Sequence, residues 1–126
     1  EELLRYDGPV ETATIRFAAE DVEIGGKLIR RGEGVNVTVT SANRDESRYA
    51  HADALDIERQ NNRHLAFGMG VHYCVGAPLA RMEGQIALNT LIQRLPNLRL
   101  AIPVEELQWA NTVVVRGMKH MPVAWG

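Results

Sequence analysis

The clearest periodic pattern in the chain runs from Pro78 to Leu95. Polar residues recur every fourth position along one face, at Arg81, Gln85, Asn89 and Gln93. The remaining positions are apolar over a wide arc: Leu79, Ala80, Met82, Ile86, Ala87, Leu88, Leu91, Ile92 and Leu95. Pro78 suits a first helical turn, and Pro96 ends the pattern. The stretch therefore predicts one long, mostly buried α-helix.

Residues 12–40 have the pattern of β-structure instead. A first strand is predicted at residues 13–17. A tight hairpin is predicted where Gly25 and Gly26 separate Val22–Ile24 from Lys27–Ile29. A half-buried strand is predicted where apolar and polar positions alternate, with Val35, Val37 and Val39 set against Asn36, Thr38 and Thr40.

The other segments have weaker patterns. Residues 1–6 predict a short helix ended by Gly8 and Pro9, and residues 41–66 predict irregular structure with one short helix between Ser47 and His51. After the long helix, strands are predicted at residues 99–102, 111–115 and 119–125, with a turn at Arg116-Gly117. Helices and strands are segregated rather than alternating, so the fold class is predicted to be α+β.

Composition adds few constraints. The 126 residues suffice for one domain with a modest core, and the 45% hydrophobic and 24% charged content is ordinary for a globular protein. A net charge of −2 gives no reason to expect nucleic acid or an anionic membrane as a partner. The single cysteine excludes an internal disulfide framework and fits a reducing compartment. No apolar run reaches membrane-spanning length and no signal peptide is visible, so we expect a cytoplasmic protein.

The candidate chemistry lies in residues 67–81, which read FGMGVHYCVGAPLAR and hold the only cysteine. Gly68, Gly70 and Gly76 fall within nine residues, which predicts a backbone that folds tightly or presses against something bulky. Cys74 stands just before the predicted helix N-terminus. Unpaired N–H donors and the helix dipole favour a thiolate at such a position.

Several uses of this cysteine can be compared. A nucleophile needs a base, and His72 points elsewhere if the loop is extended. Zinc needs four ligands, and a phosphate-binding loop needs glycines and a lysine that this stretch lacks. Haem iron accepts one axial thiolate, and Gly76 would let the backbone approach a flat macrocycle. A lone cysteine is most often a small buried apolar residue, but the glycine spacing favours haem.

The pattern formed by Phe67, Gly70, Cys74 and Gly76, continued by Leu79-Ala80-Arg81, resembles the haem-binding loop of the cytochrome P450 monooxygenases of the bacterial soluble type. The resemblance covers almost all of the chain. It implies the C-terminal part of that mainly helical fold, with small β-sheets, a haem-ligand loop and one long buried helix. Residues 1–126 would then be the C-terminal part of one cytochrome P450 domain, without its distal helix and N-terminal half.

The resemblance also implies roles for individual residues. Cys74 would be the iron ligand and the catalytic residue, and haem b the cofactor. Arg16 and His72 would contact the haem propionates. Further haem-binding residues would be Phe67, Gly68, Gly70, Gly76 and Ala80. The resemblance also nominates Thr12, Ala13, Val114 and Val115 for the substrate pocket. For Val114 and Val115, a run of three valines is equally typical of a buried strand.

A structural charge cluster is implied as well. Glu2 and Arg5 are three residues apart and would meet on one helix face. This pair is similar to the Glu-x-x-Arg pair of the family, which joins a later arginine, here Arg59, in a buried network. Arg59, Arg63 and His64 could alternatively form a basic patch for an acidic electron donor, or a solvated loop.

Two functions remain open. The first is a monooxygenase that hydroxylates C–H bonds with dioxygen and two electrons. Its implied partners are a small apolar organic substrate and a ferredoxin-like donor. The second is a truncated, non-catalytic haem-binding or interaction module. Family members carry a distal helix with an acid and an alcohol, and residues 1–126 contain no counterpart. The chain is therefore expected to be inactive alone, and to need the remainder of the enzyme or a second copy.

Overall fold

The computed structural model describes residues 1–112 and 115–126. They form two compact units. The first unit comprises residues 1–68 with a short stretch ending at Val115, and the second comprises residues 69–112 and 116–126. The regular structure of the described residues is three α-helices, two 3₁₀ turns and three separate two-stranded antiparallel sheets. Among these residues, none of the helices is both long and apolar enough to cross a lipid bilayer.

The first unit contains short elements joined by turns. Its helices are α1 (Glu2–Asp7) and α2 (Val39–Ala42), and its strands are β1 (Arg16–Phe17), β2 (Val22–Ile24), β3 (Lys27–Ile29) and β4 (Gly34–Val35). Strand β1 pairs with β4 and strand β2 with β3, with Arg16 opposite Val35 and Val22 opposite Ile29. Isolated bridges join Val10 to Val115 and Thr12 to Thr38.

The predicted hairpin is confirmed. Ile24 pairs with Lys27 across a two-residue loop. The φ angles of Gly25 and Gly26 are 57° and 73°. A two-residue turn with φ positive at both positions matches the twist of the flanking strands, which is why glycine is favoured there.

The alternating valine pattern is only partly a strand. It pairs at Val35, and Val37 still accepts a hydrogen bond from the Ala13 N–H at 2.9 Å. The prediction is wrong at Val39, where helix α2 begins and whose side chain is buried. The short helix predicted between Ser47 and His51 is also wrong, because that segment is a series of turns. One buried valine at position 39 is compatible with the apolar spacing of a strand and with that of a helix. The sequence pattern therefore did not distinguish the two structures at this position.

The second unit contains the long helix α3 (Ala77–Arg94) between a 3₁₀ turn (Gly70–His72) and strand β5 (Arg99–Leu100). A second 3₁₀ turn (Val104–Glu106) follows, and strand β6 (Val123–Ala124) pairs with β5. Trp109 bridges Met118, and the Ala110 N–H donates to the Gly117 carbonyl at 2.8 Å. The turn predicted at Arg116-Gly117 is therefore wrong, because neither residue lies in a turn and Gly117 pairs with Ala110 instead. The strand predicted at residues 111–115 includes two valines, 113 and 114, that lie outside the described residues.

The predicted long helix is confirmed as α3, with the predicted length. The prediction that its side chains are mostly buried is wrong for the described residues. Only Ala77 is buried on this helix, while Ile86 and Ile92 are 61% and 65% exposed. Apolar residues occupy most of the helix circumference. The short sheet and turns of the described second unit are too small to cover them.

The interior of the first unit is small and unusually polar. Its buried apolar side chains are Val39, Tyr49 and Ala52. Glu2, Arg5 and Asn43 are buried among them. Buried charges are stable only when they are paired and hydrogen-bonded, so this unit depends on the network described below.

Candidate functional site

The loop that leads to Cys74 is shaped by two glycines in the left-handed region. The φ angle of Gly68 is 73° and that of Gly70 is 70°. Residues other than glycine are strained in this left-handed region, because they carry a Cβ atom. The 3₁₀ turn then closes with a hydrogen bond from the Tyr73 N–H to the Gly70 carbonyl at 3.0 Å. The glycines at 68 and 70 are therefore explained by backbone geometry alone.

Gly76 requires a different explanation. Its φ and ψ angles are −83° and 0°, which any residue adopts. A Cβ atom added at Gly76 would lie 3.7 Å from Cys74 Sγ, the one atom it would meet within 4 Å outside its chain neighbours. The missing side chain thus leaves space beside the sulfur, and Cys74 itself is exposed.

The helix start next to Cys74 offers fewer free donors than the sequence suggested. The Ala77 N–H donates to the Cys74 carbonyl at 3.2 Å, and the Ala80 N–H donates to the Gly76 carbonyl at 2.9 Å. Pro78 has no N–H to offer. The start of helix α3 therefore has few free N–H groups to direct at Cys74.

Apolar side chains on either side of Cys74 are strongly exposed. Val71 and Val75 are each 98% exposed, and Met69 is exposed as well. Tyr73, just before Cys74, accepts a hydrogen bond from Arg81 Nη1 at 2.7 Å, which links the loop to the second turn of helix α3. An exposed thiol flanked by uncovered apolar surface is a site where a flat apolar group could bind.

The two units divide the predicted haem-binding residues. His72, Cys74, Gly76 and Ala80 lie in the second unit, together with Gly70. Arg16, Phe67 and Gly68 lie in the first. Arg16 is half-buried on strand β1, whereas His72 is exposed in the 3₁₀ turn.

The charge cluster predicted from Glu2, Arg5 and Arg59 comes together in the first unit. Arg5 Nε donates to Glu2 Oε2 at 2.8 Å, and Arg5 Nη2 donates to Glu2 Oε1 at 2.7 Å. Arg59 Nε reaches Glu2 Oε1 at 3.2 Å. The hydrogen bonds from Arg5, then from the Asp56 N–H at 3.0 Å and then from Arg59 stabilise the carboxylate form against the opposing effect of burial, and the pKa of Glu2 falls from 4.5 to about 2.

Two asparagines complete this network, and the sequence interpretation missed both. The Asn43 carbonyl accepts from Arg5 Nη1 at 2.9 Å, and Asn43 Oδ1 accepts from the Leu65 N–H at 2.7 Å. Asn62 Nδ2 donates to Glu2 Oε2 at 2.9 Å. Among the described residues, Asn62 Oδ1 is the buried side-chain oxygen without a hydrogen-bond partner. Their only sequence signal was a position in stretches rich in turn-forming residues.

The cluster of Arg59, Arg63 and His64 does not form a basic patch. The Arg59 side chain is 10% exposed and also donates to the Ala50 carbonyl at 2.9 Å. The His64 side chain is 2% exposed and contacts Glu1. Of the three, Arg63 alone is exposed, and it lines a surface depression of about 400 Å³ with Arg48.

Three of the predicted substrate residues, Thr12, Ala13 and Val115, lie in the first unit. Thr12 bridges Thr38 and Val115 bridges Val10, while Ala13 donates its N–H to the Val37 carbonyl. Thr12 and Ala13 are half-buried, and Val115 is 54% exposed. Val114 lies outside the described residues.

Comparison with known families gives a match over most of the chain. The family model described as cytochrome P450 matches residues 1–101. The chain belongs to the cytochrome P450 family. The family predicted from the haem-loop motif is thereby confirmed.

Individual P450 proteins are similar over nearly the whole chain. Cytochrome P450-SU2 of Streptomyces griseolus is 50% identical over 125 residues, which cover 99% of this chain and 31% of that protein. The mycinamicin IV hydroxylase/epoxidase of Micromonospora griseorubida is 49% identical over 116 residues, 92% of this chain and 29% of that protein. The solved structure of the bacillaene polyketide synthase cytochrome P450 PksS from Bacillus subtilis 168 has a TM-score of 0.94 and 42% identity, covering 98% of this chain and 32% of that one.

These comparisons confirm the expected P450 fold, in which small sheets accompany helices. The chain spans less than a third of the length of the three P450 proteins it is compared with. Members of the family bind haem b, held by a cysteine thiolate. The residues around Cys74 fit that group: the sulfur is exposed, Gly76 leaves room beside it, and uncovered valines flank it.

Proposed function

We propose that this chain is the C-terminal, haem-ligating part of a haem-thiolate monooxygenase and that residues 1–126 belong to one larger P450 domain. The observation that carries the proposal is the setting of Cys74, exposed at the end of a glycine-shaped loop beside the space left by Gly76. Membership of the P450 family supports haem b, rather than another flat group, as the occupant of that space.

In this proposal Cys74 is the catalytic residue, and its thiolate would hold the haem iron. Arg16 and His72 bind the two propionates, because a guanidinium matches carboxylate geometry and an imidazole N–H can donate to it. The other proposed haem-binding residues shape the surface around the sulfur, and they are Phe67, Gly68, Gly70, Gly76 and Ala80. The cluster of Glu2, Arg5 and Arg59 has a structural role, holding the segment that precedes the haem loop.

When bound there, haem would supply the oxidative chemistry by which a C–H bond of a small apolar substrate is hydroxylated with dioxygen, two electrons and two protons, with release of water. The chain itself ligates the iron and orients the macrocycle through Cys74 and the loop. We propose that Thr12, Ala13, Val114 and Val115 border the substrate. A ferredoxin-like protein is the proposed electron donor, and the exposed Arg48 and Arg63 are candidate contacts for its acidic surface.

The test is an absorption spectrum of the purified chain with added haem, reduced and exposed to carbon monoxide. We expect the strongly red-shifted Soret band of thiolate ligation, and we expect the Cys74→Ala variant to lose it. A Cys74→His variant is the matched control, because it should capture haem with the band of a histidine ligand. A wild-type spectrum of the histidine type, or an unchanged spectrum in Cys74→Ala, would refute the proposal.

A measurement of catalytic activity distinguishes the monooxygenase from the alternative, a non-catalytic haem-binding module. Hydrogen peroxide can replace dioxygen and the electron donor, so oxidation of an apolar test substrate reports catalysis directly. We expect the chain to bind haem without turnover and to require further segments of the enzyme, or a second copy, for activity. Turnover by the chain alone would contradict that expectation, and absence of turnover after such segments are added would favour the module.

A further inference from the structure

His64 is a buried histidine three residues before the haem loop. Its side chain is 2% exposed, yet it carries two polar ring atoms. Nε2 lies 2.6 Å from Glu1 Oε2, and Nδ1 lies 3.2 Å from the Ala66 backbone nitrogen. The ring also packs against the Phe67 ring at a centroid distance of 6.1 Å and an interplanar angle of 47°.

The two hydrogen bonds assign the protonation state of the ring. The Ala66 N–H can only donate, so His64 Nδ1 must be the acceptor and carries no proton. The Glu1 carboxylate can only accept while it is ionised, so His64 Nε2 must carry the proton. A doubly protonated ring would direct its Nδ1–H at the Ala66 N–H. The geometry therefore fits a neutral imidazole in the Nε2–H tautomer.

The residues that follow His64 hold the backbone just before the haem loop in place. The Leu65 N–H donates to Asn43 Oδ1 at 2.7 Å, and the Gly68 N–H donates to the Leu65 carbonyl at 2.8 Å. The bond from Gly68 closes a turn that contains Phe67, and the bond to Asn43 anchors the start of that turn. With His64 packed against it, the Phe67 ring has a neighbour that is itself held at both ring nitrogens.

We infer that His64 is a positioning residue that fixes the Phe67 ring at the start of the haem loop, and that it does so as a neutral Nε2–H imidazole held between Glu1 and the Ala66 N–H. The inference rests on the proposed function, in that the purpose of fixing Phe67 is to hold the loop ready for haem. Neither the positioning role of His64 nor its neutral Nε2–H state requires this residue to touch the cofactor.

The first test uses the haem-free chain. Nitrogen-15 NMR of labelled histidine distinguishes the two neutral tautomers and the charged ring. We expect the Nε2–H form for His64 near neutral pH. We also expect it in Glu1→Gln, because the amide oxygen still accepts the Nε2–H. Observation of the Nδ1–H tautomer or of an imidazolium, or loss of the Nε2–H form in Glu1→Gln, would overturn the assignment.

The second test follows Phe67 itself. The chain has two phenylalanines, so labelling with fluorophenylalanine gives one signal from Phe67 and one control signal from Phe17 on strand β1. His64→Asn keeps an acceptor for the N–H two residues on, but it removes both the ring and the contact with Glu1. We expect this variant to move the Phe67 signal and leave the Phe17 signal in place. An unmoved Phe67 signal would overturn the positioning role.

Measurements of haem binding distinguish a failure of this inference from a failure of the proposed function. Where the wild type captures haem with a thiolate spectrum, His64→Asn should weaken capture about tenfold, the loss expected of one charge-assisted hydrogen bond. His64→Gln, which retains a donor for Glu1, should recover part of it. Equal affinity in all three proteins would refute the effect of His64 on haem. A wild type without thiolate-ligated haem would count against the proposed function, and the two tests on haem-free protein would still decide the role of His64.

Discussion

Arg5 and Glu2 are joined at two points, with Nε on Oε2 at 2.8 Å and Nη2 on Oε1 at 2.7 Å. Both side chains are buried, Arg5 Nη1 donates to the carbonyls of Asn43 and Ala52, and Nη2 also donates to the Ala54 carbonyl at 3.1 Å. The guanidinium therefore ties helix α1 to two segments that are distant in sequence. Such a planar fork cannot be reproduced by lysine, whose charge sits on a single nitrogen.

Replacing Arg5 should destabilise the chain severely. Arg5→Met leaves the Glu2 carboxylate buried without its main partner, and we expect a loss of about 3–5 kcal/mol in the free energy of unfolding. Arg5→Lys should recover only part of this. The control is Asp53→Asn, which breaks the more exposed pair with Arg44 and should cost less than about 1 kcal/mol. Urea unfolding measures all three, and equal losses in Arg5→Met and Asp53→Asn would contradict the role of the buried pair.

The depressed pKa of Glu2 predicts a specific loss of stability in acid. Its value is about 2 in the folded chain against 4.5 for a free side chain. Because the folded pKa is the lower one, this stabilisation is fully present above about pH 5 and is lost as the pH falls towards 2, amounting to about 3 kcal/mol. The wild type and Glu2→Gln should therefore converge in free energy of unfolding as the pH falls. Parallel curves over that range would show that Glu2 does not titrate as described.

The sequence predicted those parts of the molecule that depend on neighbouring residues. The Gly25-Gly26 hairpin follows from two adjacent φ angles, and the contact between Glu2 and Arg5 follows from helical spacing. Arg59 joined that cluster only through resemblance to a known motif. Asn43 and Asn62 were missed because their partners are far away in the chain, and no local pattern indicates such contacts.

His64 is a further residue whose surroundings could not be predicted from its neighbours in sequence. Its neighbours Arg59 and Arg63 indicated a basic surface, whereas its side chain is buried against Phe67 and held by Glu1, more than sixty residues away in sequence. The exposed apolar arc of helix α3 is a second case. The pattern gave the helix correctly, but burial depends on which other segments are present to cover it.

Gly8 should not tolerate a side chain. A Cβ atom there would lie 2.6 Å from the Leu4 carbonyl oxygen, a backbone atom that cannot move without disturbing helix α1. We expect Gly8→Ala to lower the free energy of unfolding by about 1–3 kcal/mol. Gly84→Ala provides a contrast of opposite sign, because its Cβ would meet nothing within 4 Å and alanine favours the helix by about 1 kcal/mol. Thermal unfolding followed by circular dichroism checks both, and a stabilised Gly8→Ala would contradict the predicted clash.

Gly76 should matter for haem and not for folding. Its backbone angles suit any residue, and an added side chain would meet Cys74 Sγ rather than the rest of the chain. We expect Gly76→Val to change the free energy of unfolding by less than about 1 kcal/mol, as for other surface substitutions, while abolishing the red-shifted Soret band of the ferrous–carbon monoxide form. Gly84→Val, within helix α3, is the control, and it should retain the band. If Gly76→Val binds haem as the wild type does, the space beside the sulfur is not where the macrocycle lies.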